Sequence, residues 1–271
     1  MKRNLLLGAV AVASLLAVAS YADQIQLDGV IRDFKNSHYD MQANFGDIGL
    51  MHHLVMSQLG EDGKPVLNTA ANYQEGKIHS QQTFNQWYRD VPGVNISMPY
   101  SLTLDNHQDS PGGVYSVSWD RNTKAWVWVK GQHLYLPQYF FPIDGQGWGD
   151  HETAADGLPH NFYFTFELHT EFTYTDPATR DHDLTFNFLG DDDVWVFINH
   201  QLVVDLGGVH AQEGGSVNLD QMAAQLGLTP GNNYPLDFFS AERYVSESNL
   251  RIDTTLELHP IPPTTTNPLY D

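Results

Sequence analysis

Leu184-Thr185-Phe186-Asn187-Phe188-Leu189-Gly190-Asp191-Asp192-Asp193-Val194-Trp195-Val196-Phe197-Ile198 is the stretch that decides the fold. Residues 184–189 alternate apolar with polar, as a strand does. Residues 194–198 are a continuous apolar run of strand length, rich in β-branched and aromatic side chains. Between them Gly190-Asp191-Asp192-Asp193 makes a tight acidic turn. Downstream, Asn199-His200-Gln201 turns and Leu202-Val203-Val204-Asp205-Leu206 returns, until Gly207-Gly208 breaks the pattern. Upstream, Phe162, Phe164 and Phe166 fall on one face and Tyr163, Thr165 and Glu167 on the other.

Short strands with turn signals between them continue outward. Residues 25–32 form an opening strand, 114–119 and 125–129 a hairpin, and 234–244 and 249–258 the closing strands. Short helices are expected at 46–60, at 83–89 capped by Thr83, and at 221–226 capped by Asp220 and closed by Gly227. Residues 138–159 hold too much glycine and proline for regular structure and form an ordered loop. The fold class is all-β, an antiparallel sandwich or barrel with a few short helices and long loops. Residues 23–259 are taken as one domain, with a separate module ending near residue 110 as the alternative. The Pro/Thr-rich end, 260–271, is a flexible tail.

The N-terminus sets the compartment. Lys2 and Arg3 precede a short apolar run, and Ser20-Tyr21-Ala22 supplies the small residues of a cleavage site. These are the three parts of a secretory signal, with cleavage expected after Ala22. The run is shorter than the ~20 apolar residues of a membrane span. Of 13 basic residues, two lie in that signal, which leaves 11 against 33 acids and a net charge of −22 after cleavage. Such a charge repels nucleic acid and anionic lipid and suits a soluble extracellular protein. The chain has no cysteine, which excludes disulfide staples, thiol catalysis and zinc–thiolate sites.

The chemistry centres on Asp191, Asp192 and Asp193. Three carboxylates in one turn repel one another, and a cation relieves that cost. A solvated loop is the competing reading, since aspartate is a common turn residue. An EF-hand is excluded by the spacing. His52-His53 and Asp181-His182-Asp183 are read as ordinary surface features, and Gly207-Gly208-Val209-His210 as a turn with close backbone approach. Trp148 and Trp87 are weighed as sugar-stacking platforms against core or loop packing. No Gly-x-Ser-x-Gly elbow or His-Glu-x-x-His helix is present, so a binding protein is expected rather than an enzyme.

The stretch from Gly190 to Asn199 resembles the signature strand of the fibro-slime domain. The likeness extends through 202–210, 215–220 and Phe239-Ser240-Ala241-Glu242-Arg243. It also takes in Ile31-Arg32-Asp33-Phe34, Gln86-Trp87-Tyr88, 91–95 and Phe141-Pro142-Ile143-Asp144. That family is similar to the anthrax protective-antigen-type domain, a β-sandwich shared by flocculins and bacterial adhesins. In its lectin members an Asp-Asp pair, often joined by a cis peptide, holds a calcium ion that in turn holds sugar hydroxyls. The resemblance implies Asp191-Asp192 as that pair, with Asp193 where the broader family often has glycine. It implies a second calcium loop near 245–249, with Ser248 and Asn249 as ligands. The implied function is a secreted, calcium-dependent, carbohydrate-binding module for attachment to polysaccharide, cells or matrix. The alternative is a structural slime or biofilm matrix protein in which calcium only rigidifies a loop.

Overall fold

A computed structural model of the protein describes residues 24–42, 49–107, 114–118, 139–150, 152–155 and 157–261. The expected signal peptide, the strand at 125–129 and residues 262–271 of the tail lie outside the described residues. The strands are β1 (Gln24–Phe34), β2 (Asn95–His107), β3 (Val114–Ser118), β4 (Glu152–Thr153), β5 (Pro159–His160), β6 (Phe164–Tyr174) and β7 (Thr185–Gly190). They continue with β8 (Asp193–Ile198), β9 (Gln201–Leu206), β10 (Glu213–Asn218), β11 (Asn232–Glu242), β12 (Leu250–Thr254) and β13 (Leu258–Pro260). Two short helices, α1 (Gln81–Phe84) and α2 (Leu219–Leu226), and a 3-10 turn at Pro177–Thr179 complete the described elements. The all-β expectation holds.

The main sheet runs β10-β7-β12-β3-β2-β1-β6-β11-β8-β9, with β13 added beside β6. Every pairing in it is antiparallel. Its two ends fold back on each other: a Cβ built on Gly215 of β10 would stand 2.5 Å from Cγ1 of Val204 of β9. The sheet therefore makes two facing layers, one led by β6, β11 and β8 and the other by β7 and β12. Phe164, Phe166, Phe186, Phe188, Val194, Val196, Phe238 and Ile252 meet between them in one core cluster.

A second core lies on the outer face of β8 and β11. Trp195, Phe197, Phe239 and Ala241 point away from the inner core and are covered by Phe84, Trp87, Tyr88, Leu54 and Phe162. This explains why β8 is buried at all six positions. A strand covered on both faces needs apolar side chains in both registers, and Val194-Trp195-Val196-Phe197-Ile198 supplies them. β6 is covered the same way, so Thr165 and Glu167 are buried as well as the phenylalanines. Their polar groups are satisfied: Thr165 Oγ1 donates to the Trp87 carbonyl, and Glu167 takes Lys64 Nζ at 2.8 Å and lies 3.2 Å from Arg32 Nη1.

Several local expectations need correction. Residues 49–60 of the expected 46–60 helix are extended and bridge β9 and its continuation, Met51 to Gly207 and Gln58 to Gln201. The apolar spacing there serves burial under the outer core, not a helix face. His52 and His53 are consequently on a bridging segment, where His52 Nδ1 lies 2.6 Å from the Asp205 carbonyl. α1 starts earlier than expected. Ser80 is its N-cap, and Thr83 is the reciprocal partner in the capping box. α2 is capped by Asn218, whose side chain accepts from Asp220 N and Gln221 N, while Gly227 closes it at φ +69. Asp220 instead pairs with Arg180 at 2.6 Å. β3 pairs with β2 and β12. β1 and β2 sit in the middle of the sheet.

Candidate functional site

The acidic turn is not the tip of a hairpin. β7 pairs with β10 and β12, whereas β8 pairs with β11 and β9. Residues 190–193 therefore cross from one layer of the sandwich to the other. The β11–β12 connection crosses in the opposite direction at the same end, since Ala241 pairs with Asp193 and Leu250 with Gly190. Two crossovers lie side by side, and each brings acids: Asp191, Asp192 and Asp193 from one, Glu242 and Glu247 from the other. Gly190 is required by the approach. A Cβ there would stand 2.5 Å from the Asn249 carbonyl and 2.5 Å from the Phe188 ring.

The three aspartates have three fates. Asp191 is partly exposed, and its two oxygens accept from Asn249 N at 2.5 Å and Asn249 Nδ2 at 2.6 Å. Asp192 is buried at φ +50, a left-handed conformation that aspartate tolerates. Its Oδ2 accepts from Arg243 N at 2.8 Å and Tyr244 N at 3.0 Å. The described residues contain no cis peptide bond, so the positive φ of Asp192, and not a cis linkage, sets the direction of the pair. Asp193 turns into the outer core and is fully buried. Its Oδ2 takes Arg243 Nε at 2.6 Å and its Oδ1 takes Gly208 N at 2.7 Å. Asp193 is thus distinguished from its two neighbours by a buried ion pair with Arg243 on the outer-core side.

Glu242, which the sequence reading did not single out, lies beside Asp191 and Asp192. It is 5% exposed, its carboxyl meets Ser248 and Asp192, and its Oε1 has no hydrogen-bond partner among the described residues. Burial, then the charges of Asp192 and Asp191, push its carboxyl well above the usual range. Burial also raises Asp191 to about 7, against the Asn249 hydrogen bonds that lower it. Asp192 is raised to about 8 by burial first and by Asp191 second. Asp191, Glu242, Ser248 and Asn249 line a small cavity at the end of the inner core, closed on its apolar side by Phe140, Phe164 and Phe188. Its free volume is about 10 Å³, the space of one water-sized sphere. Among the described residues no group of three or more acids or histidines is placed, as it stands, to hold a metal ion.

Ser248 and Asn249 line the cavity with Asp191 and Glu242, and their side chains are engaged. Ser248 Oγ donates to the Phe140 carbonyl at 2.7 Å, and Phe140 N donates back to the Ser248 carbonyl at 2.6 Å. These bonds tie the second crossover to the 139–150 loop. Trp148 does not line the cavity. Its N–H donates to Asp33 Oδ2 at 2.6 Å, and its ring lies under Lys35 Nζ at 4.9 Å. Trp87 is a core residue whose Nε1 donates to Asp40 Oδ2 at 2.9 Å. Gly207 and Gly208 make the expected close approach: Gly207 exchanges two backbone hydrogen bonds with Met51, and Gly208 takes φ +93.

No family model matches the chain. The chain is similar to a set of proteins of Dictyostelium discoideum, psiR, psiQ and psiD among them. Protein psiR is 44% identical over 225 residues, 80% of this chain and 20% of that protein. Protein psiQ is 42% identical over 219 residues, 78% and 19%. Protein psiD is 36% identical over 242 residues, 86% and 42%. The chain thus spans between a fifth and two fifths of the length of these relatives. Among solved structures, a PA14 sugar-binding domain from an RTX adhesin covers 38% of this chain, which covers 54% of it, at 12% identity and a TM-score of 0.23. A likeness of that size carries neither fold nor ligand across.

Proposed function

We propose that the protein is an exported carbohydrate-binding module that uses calcium at the double crossover, for attachment to polysaccharide, cells or matrix. The observation that carries this reading is Glu242, a buried carboxylate with an unpartnered oxygen beside Asp191 and Asp192 at a cavity of ion size. Buried Asp192 and Glu242 beside partly exposed Asp191 crowd three carboxyls together at a cost, and a divalent cation relieves it. The donors are oxygen only, which suits calcium and disfavours softer metals. Asp191, Asp192 and Glu242 would draw together to hold the ion, with Asp191 giving up its bonds to Asn249 and with Ser248 and Asn249 shaping the loop around it. Bound calcium would supply charge compensation and open coordination positions for a pair of sugar hydroxyls. Asp191 lies at the partly exposed rim next to exposed Ser246 and Glu247, which gives the saccharide a side from which to approach.

Calorimetric titration of calcium into the protein and into an Asp191→Ala, Asp192→Ala variant tests the ion site. Binding by the first and not the second is expected. A glycan array with and without chelator then tests the sugar. Absence of calcium binding by the unaltered protein would sink the proposal. The enclosure of the cavity by Phe140, Phe164 and Phe188 favours a second reading, in which the ion only fastens the two crossovers and the protein is a structural matrix component. Calcium binding with no calcium-dependent glycan signal would select that reading.

A further inference from the structure

A larger pocket lies on a different face, and it shares no lining residue with the acid site. It has a cavity volume of about 420 Å³, within the ~300–1,000 Å³ of small-molecule sites. Tyr39 is 62% exposed, and its ring lies flat on His79, centroids 4.4 Å apart and planes 15° from parallel. The platform is rigid because buried Asp40 fixes it from below. Asp40 Oδ1 accepts His79 N at 2.8 Å and Thr83 Oγ1 at 3.2 Å, and Oδ2 accepts the core indole of Trp87. The wall opposite comes from α1 and the turn after it. Gln82 is exposed there, and Gln86 is held by His38 Nε2 at 2.9 Å through its carbonyl oxygen, with the amide nitrogen not used in that contact. In a chain with 33 acids none of the described lining residues is acidic, and the one full charge among them is the Lys35 ammonium, whose other neighbour is the Trp148 ring at 4.9 Å.

A flat aromatic surface, two side-chain amides and one cation define a ligand that has an apolar ring face, hydroxyl groups and an anionic substituent. We propose that this pocket is a second saccharide site, needing no metal, for an acidic sugar of the uronic-acid type. The apolar face of the sugar lies on the Tyr39–His79 pair, Gln82 and Gln86 hydrogen-bond its hydroxyls, and its carboxylate faces Lys35. The site stands on its own side chains and does not depend on the calcium reading.

The test is an array of uronate-bearing oligosaccharides and their carboxyl-reduced counterparts, probed with the full chain in chelator. Calorimetry on the best hit then compares variants. Binding that survives chelation is expected, about fivefold weaker for the carboxyl-reduced sugar and for Lys35→Gln. Tyr39→Ala is expected to weaken it about tenfold, from loss of the ring contact. Asp192→Asn is expected to leave it unchanged, which separates this site from the acid cluster. Tyr39 and Lys35 are exposed, so their variants should keep the unfolding midpoint of the parent, and this is checked in the same samples. No chelator-resistant signal, equal affinity for the reduced sugar, or no loss in Tyr39→Ala would overturn the proposal.

Discussion

Three adjacent residues of one type do three different things here. Asp193 is a structural anion. Removing its charge leaves the Arg243 guanidinium buried without its paired carboxylate, 4.9 Å from the Trp87 ring and against the carbonyls of Asp40, Gly76 and Lys77. Asp193→Asn is therefore expected to cost about 3–5 kcal/mol of stability in urea unfolding, with or without calcium. Asp192→Asn should behave in the opposite way. Asparagine accepts φ +50, keeps an oxygen for Arg243 N and Tyr244 N, and removes a charge from a repulsive group. In chelator at pH 8 it should match or exceed the parent by about 1 kcal/mol, and the stabilisation conferred by calcium should vanish. The pH dependence follows from the raised carboxyls. Between the ordinary value of 3.8 and the folded values of about 7 and 8, the folded state holds protons that the unfolded state has released. Stability in chelator must then fall as pH rises through 7 to 8, and be highest toward the acid side of that window. Calcium competes with those protons, so its affinity should rise over the same interval. Thermal unfolding from pH 5 to 8.5, with and without calcium, checks both slopes, and flat curves in chelator would contradict the burial of these acids.

The elements that build the site are the two crossovers, and their closeness depends on one missing side chain. Gly190 pairs with Glu213 on one side and Leu250 on the other, and the Asn249 carbonyl fills the space a Cβ would need. Gly190→Ala should push the second crossover away. The expected cost is about 1–3 kcal/mol in an unfolding titration, together with weakened calcium binding. The mate substitution Gly214→Ala, on a neighbouring strand where a Cβ would meet nothing nearer than 3.6 Å, should leave calcium affinity unchanged. The helix corrections belong to this scale too. Ser80 and Asn218 are the caps, while Thr83 and Asp220 lie inside the first turn, where their side chains also meet Asp40 and Arg180.

Across the whole molecule the outer core is what makes β8 and β11 central. Residues 49–94 and 139–163 lay Phe84, Trp87, Tyr88 and Phe162 over Trp195, Phe197 and Phe239. Trp87 is the joint of this layer. It is fully buried, lies 6.1 Å from Trp195 between ring centroids, and holds Asp40 through its indole N–H. Trp87→Ala is expected to lose about 3–5 kcal/mol, read as a lowered denaturant midpoint. Trp87 also stands between the two proposed sites, under Arg243 on one side and under Asp40 on the other. The same substitution should therefore loosen both, whereas Asp192→Asn and Tyr39→Ala each affect one.

The strands from 162 to 206, the acidic turn and the return at Gly207-Gly208 were legible in the sequence. Period-two alternation, apolar runs and turn residues are local signals, and the sandwich layers did not overrule them. The crowding of Asp191, Asp192 and Asp193 was legible for the same reason, as three charges in one turn, whereas the choice of Asp191 with Asp192 as a pair rested on the family resemblance. Tertiary structure alone decided the rest. It assigned Asp193 to Arg243, fifty residues away, because a buried cation needs a buried anion and no local pattern says which acid will meet it. It added Glu242 by pairing β11 with β8, which brings the end of one strand to the start of another. It also drew residues 49–60 out straight, because an apolar face can be buried equally well along an extended bridge, and the β9 edge was there to receive it.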